Sequence, residues 1–265
     1  MSLAHLFLAV PAFLATYVAA ACLFLHVTSA SAATDWRSLS REPVGLAPDP
    51  AKTPEAVVQV YAARALRWRG YFGVHPWIAV KRSGERAFTV YEVNGWRLRS
   101  SGSSVVRSER PPDGRWFGNA PELLAEARGE GVDALIDRIE QGVESYPWKD
   151  QYRVWPGPNS NTFVAWVLRE GAPELRVDLP PTAIGKDWLG LNPVAKLPSG
   201  TGVQVNALGI LGVAAGVEEG LEVNLLGLTF GLDFRNLALK LPLLGSIGPK
   251  RFGGSAQAKP PLDVP

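Results

Sequence analysis

Two side chains offer this sequence its most direct chemistry. The stretch "PGPNSNTFVAWVLRE" (156–170) passes from a proline- and asparagine-rich loop into an apolar stripe at Phe163, Val164, Val167 and Leu168, with Ser160 at the break. The first turn of a helix carries unpaired N–H groups and the positive end of the dipole. A hydroxyl there would have its conjugate base stabilised and an oxyanion hole close by. The plainer alternative is that Asn159 or Ser160 caps the helix, a contribution of about 1 kcal/mol. A serine nucleophile needs a base, and the choice is narrow. Of three histidines, His5 and His26 lie in the apolar N-terminal run, which leaves His75 in "YFGVHPWIAVKR". The single cysteine, Cys22, lies in that run too, so an intramolecular disulfide and a cysteine-rich metal site are excluded.

Other polar groups could complete a site. Asn161 could orient His75, and Glu92 and Tyr91 sit on a neighbouring strand within reach of it. Lys186, with Asp187 beside it, could line the mouth, and Trp77, Tyr91, Asn159 and Trp155 could bind substrate. Trp68, Trp96, Trp116, Trp148 and Trp166 could add to a groove for a lipid or sugar, although such rings more often pack a core or its rim. A lone histidine on an apolar strand is more often structural than catalytic. No metal set is evident, because Glu222 and Asp233 are isolated, and no cofactor is expected.

These residues need a scaffold. "EAVVQVYAARA", "YFGVHPWIAVKR" and "RAFTVYEVNGW" read as strands, the last two joined at a Ser83–Gly84 turn. In the third, Phe88, Val90 and Glu92 share one face and Thr89, Tyr91 and Val93 the other. "NAPELLAEARGEGVDALIDRIEQGVESY" reads as helical, with Leu123, Leu124, Ala127, Leu135, Ile136 and Ile139 at helical spacing and a glycine break at 129–131. From about 200 the composition changes. "VQVNALGIL" (203–211) and "LEVNLLGLT" (221–229) repeat one frame at an offset of 18 residues, in a segment rich in Leu, Val and Gly. This predicts β-hairpins with one very apolar face, either packed on the first domain or exposed as a membrane-apposed or self-associating surface through 203–247.

Twenty-seven basic and 25 acidic residues give a net charge of +2, too balanced for a nucleic-acid partner. The basic clusters "ARALRWRGYF" and "RSERPPDGRW" read as solvated loops. Residues 3–27 hold no Asp, Glu, Lys or Arg. The run is longer than the roughly 7–15 residues of a signal-peptide core and long enough for the roughly 20 a membrane span needs. Ala30-Ser31-Ala32 would suit a signal cleavage site, so anchor and cleaved signal both stand. The expected architecture is α+β: an anchor or signal at 1–34, a Pro-rich stalk at 35–54, a sheet-and-helix domain at 55–200, the apolar β-hairpin segment at 201–248, and a disordered tail at 249–265.

The order of a histidine strand, a hairpin, a helical segment and then Asn159-Ser160-Asn161-Thr162-Phe163 opening a helix resembles circularly permuted papain-like proteins, the NlpC-type peptidases and lecithin–retinol acyltransferase-like enzymes. Their Asn-Cys-x-x-Phe motif holds a cysteine where this chain has Ser160, and their histidine strand resembles His75-Pro76-Trp77-Ile78-Ala79-Val80. A longer resemblance, from about 55 to 248, runs through "VVQVYAARALRWRGYFGVHPWI", "GRWFGNAPELL", "WPGPNSNTFVAWV", "DLPPTAIGKDW" and "GLEVNLLGLTFGLDF". It is to an uncharacterised bacterial membrane-protein family, domain of unknown function 3750. The resemblances imply an envelope protein at the bacterial inner membrane, held by its N-terminal helix, with most of the chain facing the periplasm. Its papain-like cleft is expected to bind a peptide, glycan or lipid rather than to catalyse. The alternative is a serine-dependent amide or ester hydrolase or acyltransferase with Ser160 as nucleophile, His75 as base, and Asn161 or Glu92 orienting it.

Overall fold

The structure is a computed structural model that describes residues 3–28 and 37–249. In chain order its elements are helix α1 (Leu3–Thr28), strand β1 (Val57–Arg64), the short helix α2 (Arg69–Phe72), strands β2 (Val74–Lys81) and β3 (Thr89–Val93), the short helix α3 (Leu98–Ser101), strands β4 (Val105–Glu109) and β5 (Glu122–Arg128), and helices α4 (Val132–Glu144) and α5 (Ser160–Gly171). Seven strands follow: β6 (Val194–Lys196), β7 (Gly202–Ala207), β8 (Leu211–Gly216), β9 (Gly220–Leu225), β10 (Leu228–Asp233), β11 (Ala238–Leu241) and β12 (Gly245–Ile247).

The first sheet is antiparallel, in the order β4-β3-β2-β1-β5. Side chains alternate between its faces. Val58, Val60, Ile78, Val80, Tyr91, Val93, Ala125 and Ala127 meet Leu135, Ile136 and Ile139 of α4 and Phe163, Val164, Val167 and Leu168 of α5. Complete burial of each such aliphatic residue contributes about 1.5–3 kcal/mol. The opposite face is covered as well, by a second core of Val57, Tyr61, Ala63, Trp77, Ala79, Phe88 and Val90 with Trp116 and Phe117.

Two expectations are corrected here. The segment Glu122–Arg128, expected to be helical, is strand β5, paired with the free edge of β1. Leu123 points to one core while Leu124, Ala125 and Ala127 meet the other, because the pairing with β1 shifts register between Val60 and Tyr61 and breaks the alternation there. The helix begins only at Val132, after Gly129 and Gly131, both at positive φ. The described part of the expected stalk, from 37 to 54, lies against the domain: Pro43 bridges Gly114, and the Leu46 amide donates to Asp113 Oδ2 at 2.7 Å.

The second sheet is an antiparallel meander running β12-β11-β10-β9-β8-β7-β6. It is built from the 18-residue repeat, and a third copy, "LKLPLLGSI" (239–247), follows at the same interval. The repeated asparagine closes the hairpins: Asn206 Oδ1 accepts from the Gly209 amide at 2.5 Å, and Asn224 Oδ1 from the Gly227 amide at 2.9 Å. The polarity of this sheet is inverted. Gln204, Asn206, Glu222, Asn224, Thr229, Asp233 and Lys240 are buried, while Val203, Val205, Leu211, Val213, Leu221, Val223, Leu232 and Leu239 are exposed.

Helix α1 lies beside this exposed face. Phe13 and Tyr17 pack on Phe230 of β10, with ring centroids 6.4 and 5.5 Å away, and the Tyr17 hydroxyl donates to the Pro242 carbonyl at 2.5 Å. Among the described residues no helix is long and apolar enough to cross a membrane. The small-residue cleavage site at 30–32 and the tail from 250 lie outside the described residues.

Candidate functional site

Strand alternation decides which side chains can meet. The pairing of Ile78 with Tyr91 and Ala79 with Val90 sets the β2–β3 register. It places His75, Trp77, Val90 and Glu92 on the sheet face turned away from α4 and α5. There His75 Nε2 lies 3.0 Å from Glu92 Oε2, both side chains being almost wholly buried. An ionised carboxylate only accepts, so Nε2 carries the proton. Asn94 Nδ2 donates to Glu92 Oε1 at 3.1 Å, and Arg110 Nη2 donates to Oε2 at 3.3 Å. Burial pushes the Glu92 carboxyl up. The hydrogen bond and charge of His75, then Arg110 and Asn94, outweigh it together and leave its pKa lowered.

The imidazole is also pinned from above. It stacks on Trp116 with centroids 3.7 Å apart and planes 6° from parallel. Trp116 stacks in turn on Trp96, at 6.1 Å and 20°, and Trp96 is 59% exposed. Three nearly parallel rings thus lead from the buried imidazole to solvent. Arg110 lies over Trp77, 5.1 Å from its centroid, and Arg41 lies over Phe117 at 3.7 Å.

A cleft of about 530 Å³ surrounds this stack. Its walls carry Arg41, Arg97, Arg107, Arg110 and Arg115, with Glu92, Asn94, Ser108, Trp96 and Trp116. Arg41, Arg97, Arg110 and Arg115 gather about one carboxylate, which His75 and Arg110 already engage, whereas Arg107 turns its guanidinium to the helix side, 5.9 Å over the Tyr91 ring. Arginine remains charged and presents a planar fork of donors that fits carboxylate and phosphate. The arrangement can therefore hold an anion, and Trp96 offers a flat surface beside it. Among the described residues no cluster of His, Cys, Asp and Glu gathers to hold a metal ion.

The expected pairing of His75 with Ser160 is not formed. Ser160 opens α5, which packs on the opposite face of the sheet from the imidazole. Asn161 cannot orient His75 for the same reason. Instead its Nδ2 donates to the Ile184 carbonyl at 2.8 Å, and its buried Oδ1 has no partner. Asn159 is the cap: its Oδ1 accepts from the amides of Asn161 and Thr162 at 2.9 and 3.2 Å, and Thr162 Oγ1 accepts from the Asn159 amide at 3.1 Å. Thr162 Oγ1 also donates to the Gly185 carbonyl at 2.7 Å. A Cβ on Gly185, whose φ is +93°, would fall 2.4 Å from Asn159 Nδ2, so only glycine fits this junction.

The remaining candidates are scattered. Trp77 is on the His75 face, where its Nε1 donates to the Pro112 carbonyl at 2.7 Å. Tyr91 points to the helix side and donates to Glu140 Oε1 at 2.7 Å. Trp155, half exposed, donates to the Leu226 carbonyl at 2.8 Å. Lys186 lines no mouth. It is buried against the second sheet, ion-paired with Glu222, which also takes Lys240 at 2.7 Å, and Lys240 reaches Asp178 at 2.7 Å. Burial pushes the Lys186 ammonium down, but Asp187, Glu222 and Asp178 more than reverse this and raise its pKa. The Asn159–Thr162 cap therefore braces the loop that carries Lys186 into the second sheet.

The arginine wall escaped the sequence reading, which placed "RSERPPDGRW" among solvated loops. The available signal was the arginine and tryptophan content of 96–116.

The family comparison covers most of these parts. The description "Protein of unknown function (DUF3750)" matches residues 55–188, just over half of the chain. The chain belongs to the DUF3750 family. The matched DUF3750 region includes the first sheet, α4, α5, Lys186 and the whole cleft except Arg41, and it ends before the second sheet. No curated protein and no solved structure matches the chain.

Proposed function

We propose that this DUF3750 protein is a membrane-associated binding protein of the bacterial envelope, and that its arginine-walled cleft takes an anionic ligand. The ligand presents a carboxylate or phosphate to Arg97, Arg110 and Arg115 and lays a ring or other flat portion on Trp96. One observation carries this reading: four cleft arginines, Arg41, Arg97, Arg110 and Arg115, surround a single carboxylate that is already engaged, next to an open aromatic stack. The His75–Glu92 pair fixes the stack and the position of Arg110. With α1 held in the inner membrane, the bulk of the chain faces the periplasm, where acidic glycans, peptides and lipid headgroups supply such anions.

A serine-dependent hydrolase or acyltransferase at Ser160 draws no support from the geometry, because the one nearby histidine faces the other side of the sheet. The distant likeness to permuted papain-like proteins is, on this reading, a likeness of layout without the catalytic pair.

Titration of the purified full chain in detergent tests the proposal. Pyrophosphate and citrate are expected to change tryptophan fluorescence saturably and salt-sensitively, while a neutral disaccharide does not. Arg97→Ala is expected to weaken the response, and Trp96→Ala to remove most of the signal. Anions that leave the fluorescence unchanged up to millimolar concentration would overturn the assignment.

A further inference from the structure

The exposed face of the second sheet has no counterpart in the cleft and needs its own account. We infer that this face is a membrane-docking surface that lies in the acyl region of a bilayer, side by side with α1.

Its composition favours hydrocarbon over a protein partner. The outward side chains of the seven strands include Val205, Val213, Leu221, Val223, Leu232 and Leu239, all exposed. Among the described strand residues the one charged side chain on that face, Lys196, stands on the edge strand β6. A protein interface normally carries roughly one hydrogen bond per 100–200 Å², and this face presents almost nothing able to make one. Beside it is an apolar hollow of about 490 Å³, lined by Leu191, Pro193, Val205, Leu208, Leu211 and Val223.

The hairpin tips supply an independent argument. Leu208 and Leu226 adopt φ of +54° and +55°, each followed by a glycine at positive φ. Two-residue turns of this form favour Asn, Asp or Gly at the first position. A leucine in the left-handed region costs roughly 1–2 kcal/mol. Both leucines are about half exposed, so in water little offsets that cost. In hydrocarbon, complete burial of a leucine returns about 1.5–3 kcal/mol, enough to reverse the balance.

Continuity with α1 identifies the medium. Phe13 and Tyr17, which touch Phe230 on this face, lie near the middle of a 26-residue helix without Asp, Glu, Lys or Arg. The sheet face is therefore level with the midpoint of the helix, and an apolar layer that accepts one meets the other. Trp155, its indole N–H paired to the Leu226 carbonyl, marks the rim, where amphipathic rings favour a membrane interface. The inference rests on α1 reaching a bilayer and is independent of the cleft ligand.

The test uses the full chain with Cys22→Ser, which removes its only cysteine, and a nitrobenzoxadiazole label on Val223→Cys or, as control, on Glu85→Cys in the Ser83–Gly84 hairpin. The protein is reconstituted into phosphatidylcholine–phosphatidylglycerol vesicles and into nanodiscs holding one copy each. The label at 223 is expected to emit to the blue of the label at 85. It is also expected to be quenched severalfold by acyl-brominated lipid, in vesicles and nanodiscs alike. Protein that floats with the vesicles while the label at 223 emits as if in water would overturn the sheet docking and leave the α1 anchor intact. Shielding present in vesicles but lost in single-copy nanodiscs would assign the face to a second copy and overturn the inference. Failure to float at all would overturn both the anchor and the docking, whatever the cleft binds.

Discussion

The five-stranded sheet buries apolar side chains on both faces, whereas the seven-stranded sheet buries its polar face and leaves its apolar face open. Both alternate with period two, so the sequence pattern that reveals a strand does not say which face is inside. What separates them is the partner each face meets. The first sheet meets two helices on one side and an aromatic layer on the other. The second meets a loop that brings Lys186, Asp187 and Asp178 to Glu222, Asn224 and Lys240. One core is held by dispersion and desolvation, the other by a buried ionic network whose members depend on one another.

That contrast sets the order of expected effects. Lys240→Met leaves Asp178 without its ammonium partner and Glu222 with only Lys186, and should cost about 3–5 kcal/mol. A denaturation midpoint unchanged from wild type would show that the ionic network does not hold the second sheet. Leu135→Ala opens a cavity in the first core, and about 2–5 kcal/mol should be lost on the same measurement. If Leu135→Ala were the more damaging of the two, the first sheet would be the more demanding joint.

A pH series sharpens the comparison further. Burial raises the Asp178 carboxyl, against the pull of Lys240, to about 6. Its contribution to stability is therefore fully present below its ordinary value of 3.8 and is lost as pH rises through about 6. Glu222 has the opposite sign. Burial pushes it up, but Lys186 and Lys240 draw it down, so its contribution is present above its ordinary value and is lost as pH falls. Urea midpoints measured through this range for Asp178→Asn should lack the decline with rising pH that Asp178 gives the wild type. An identical slope in both proteins would remove Asp178 from the network. The smallest effect belongs to the open face: Val223→Thr in detergent should change stability by less than about 0.5 kcal/mol. A larger loss would mean that this face is already covered within the chain.

Much of the scaffold was legible. The Ser83–Gly84 hairpin, the sides taken by Val90, Glu92, Tyr91 and Val93, and the meander implied by the 18-residue repeat all follow from local pattern and turn chemistry. Strand β5 was not, because Leu123, Leu124 and Ala127 fit helical spacing too, and only the vacant edge of β1 decides between the two. The site was less legible. Ser160 and His75 were both located on their elements, but the faces of those elements are set by packing across the sheet. The cleft arginines other than Arg41 fall within 97–115, but which of them turn into the cleft is set by the faces of β3 and β4 and not by the composition of that segment.

The third copy of the repeat has an evolutionary consequence. Each copy contributes an even count of residues and returns the chain to its starting direction. Duplicating or deleting a whole copy would widen or narrow the meander without turning any later side chain over, whereas a one-residue slip would carry Lys240 to the outside. Length variation among natural versions of this segment should therefore come in steps of one whole copy.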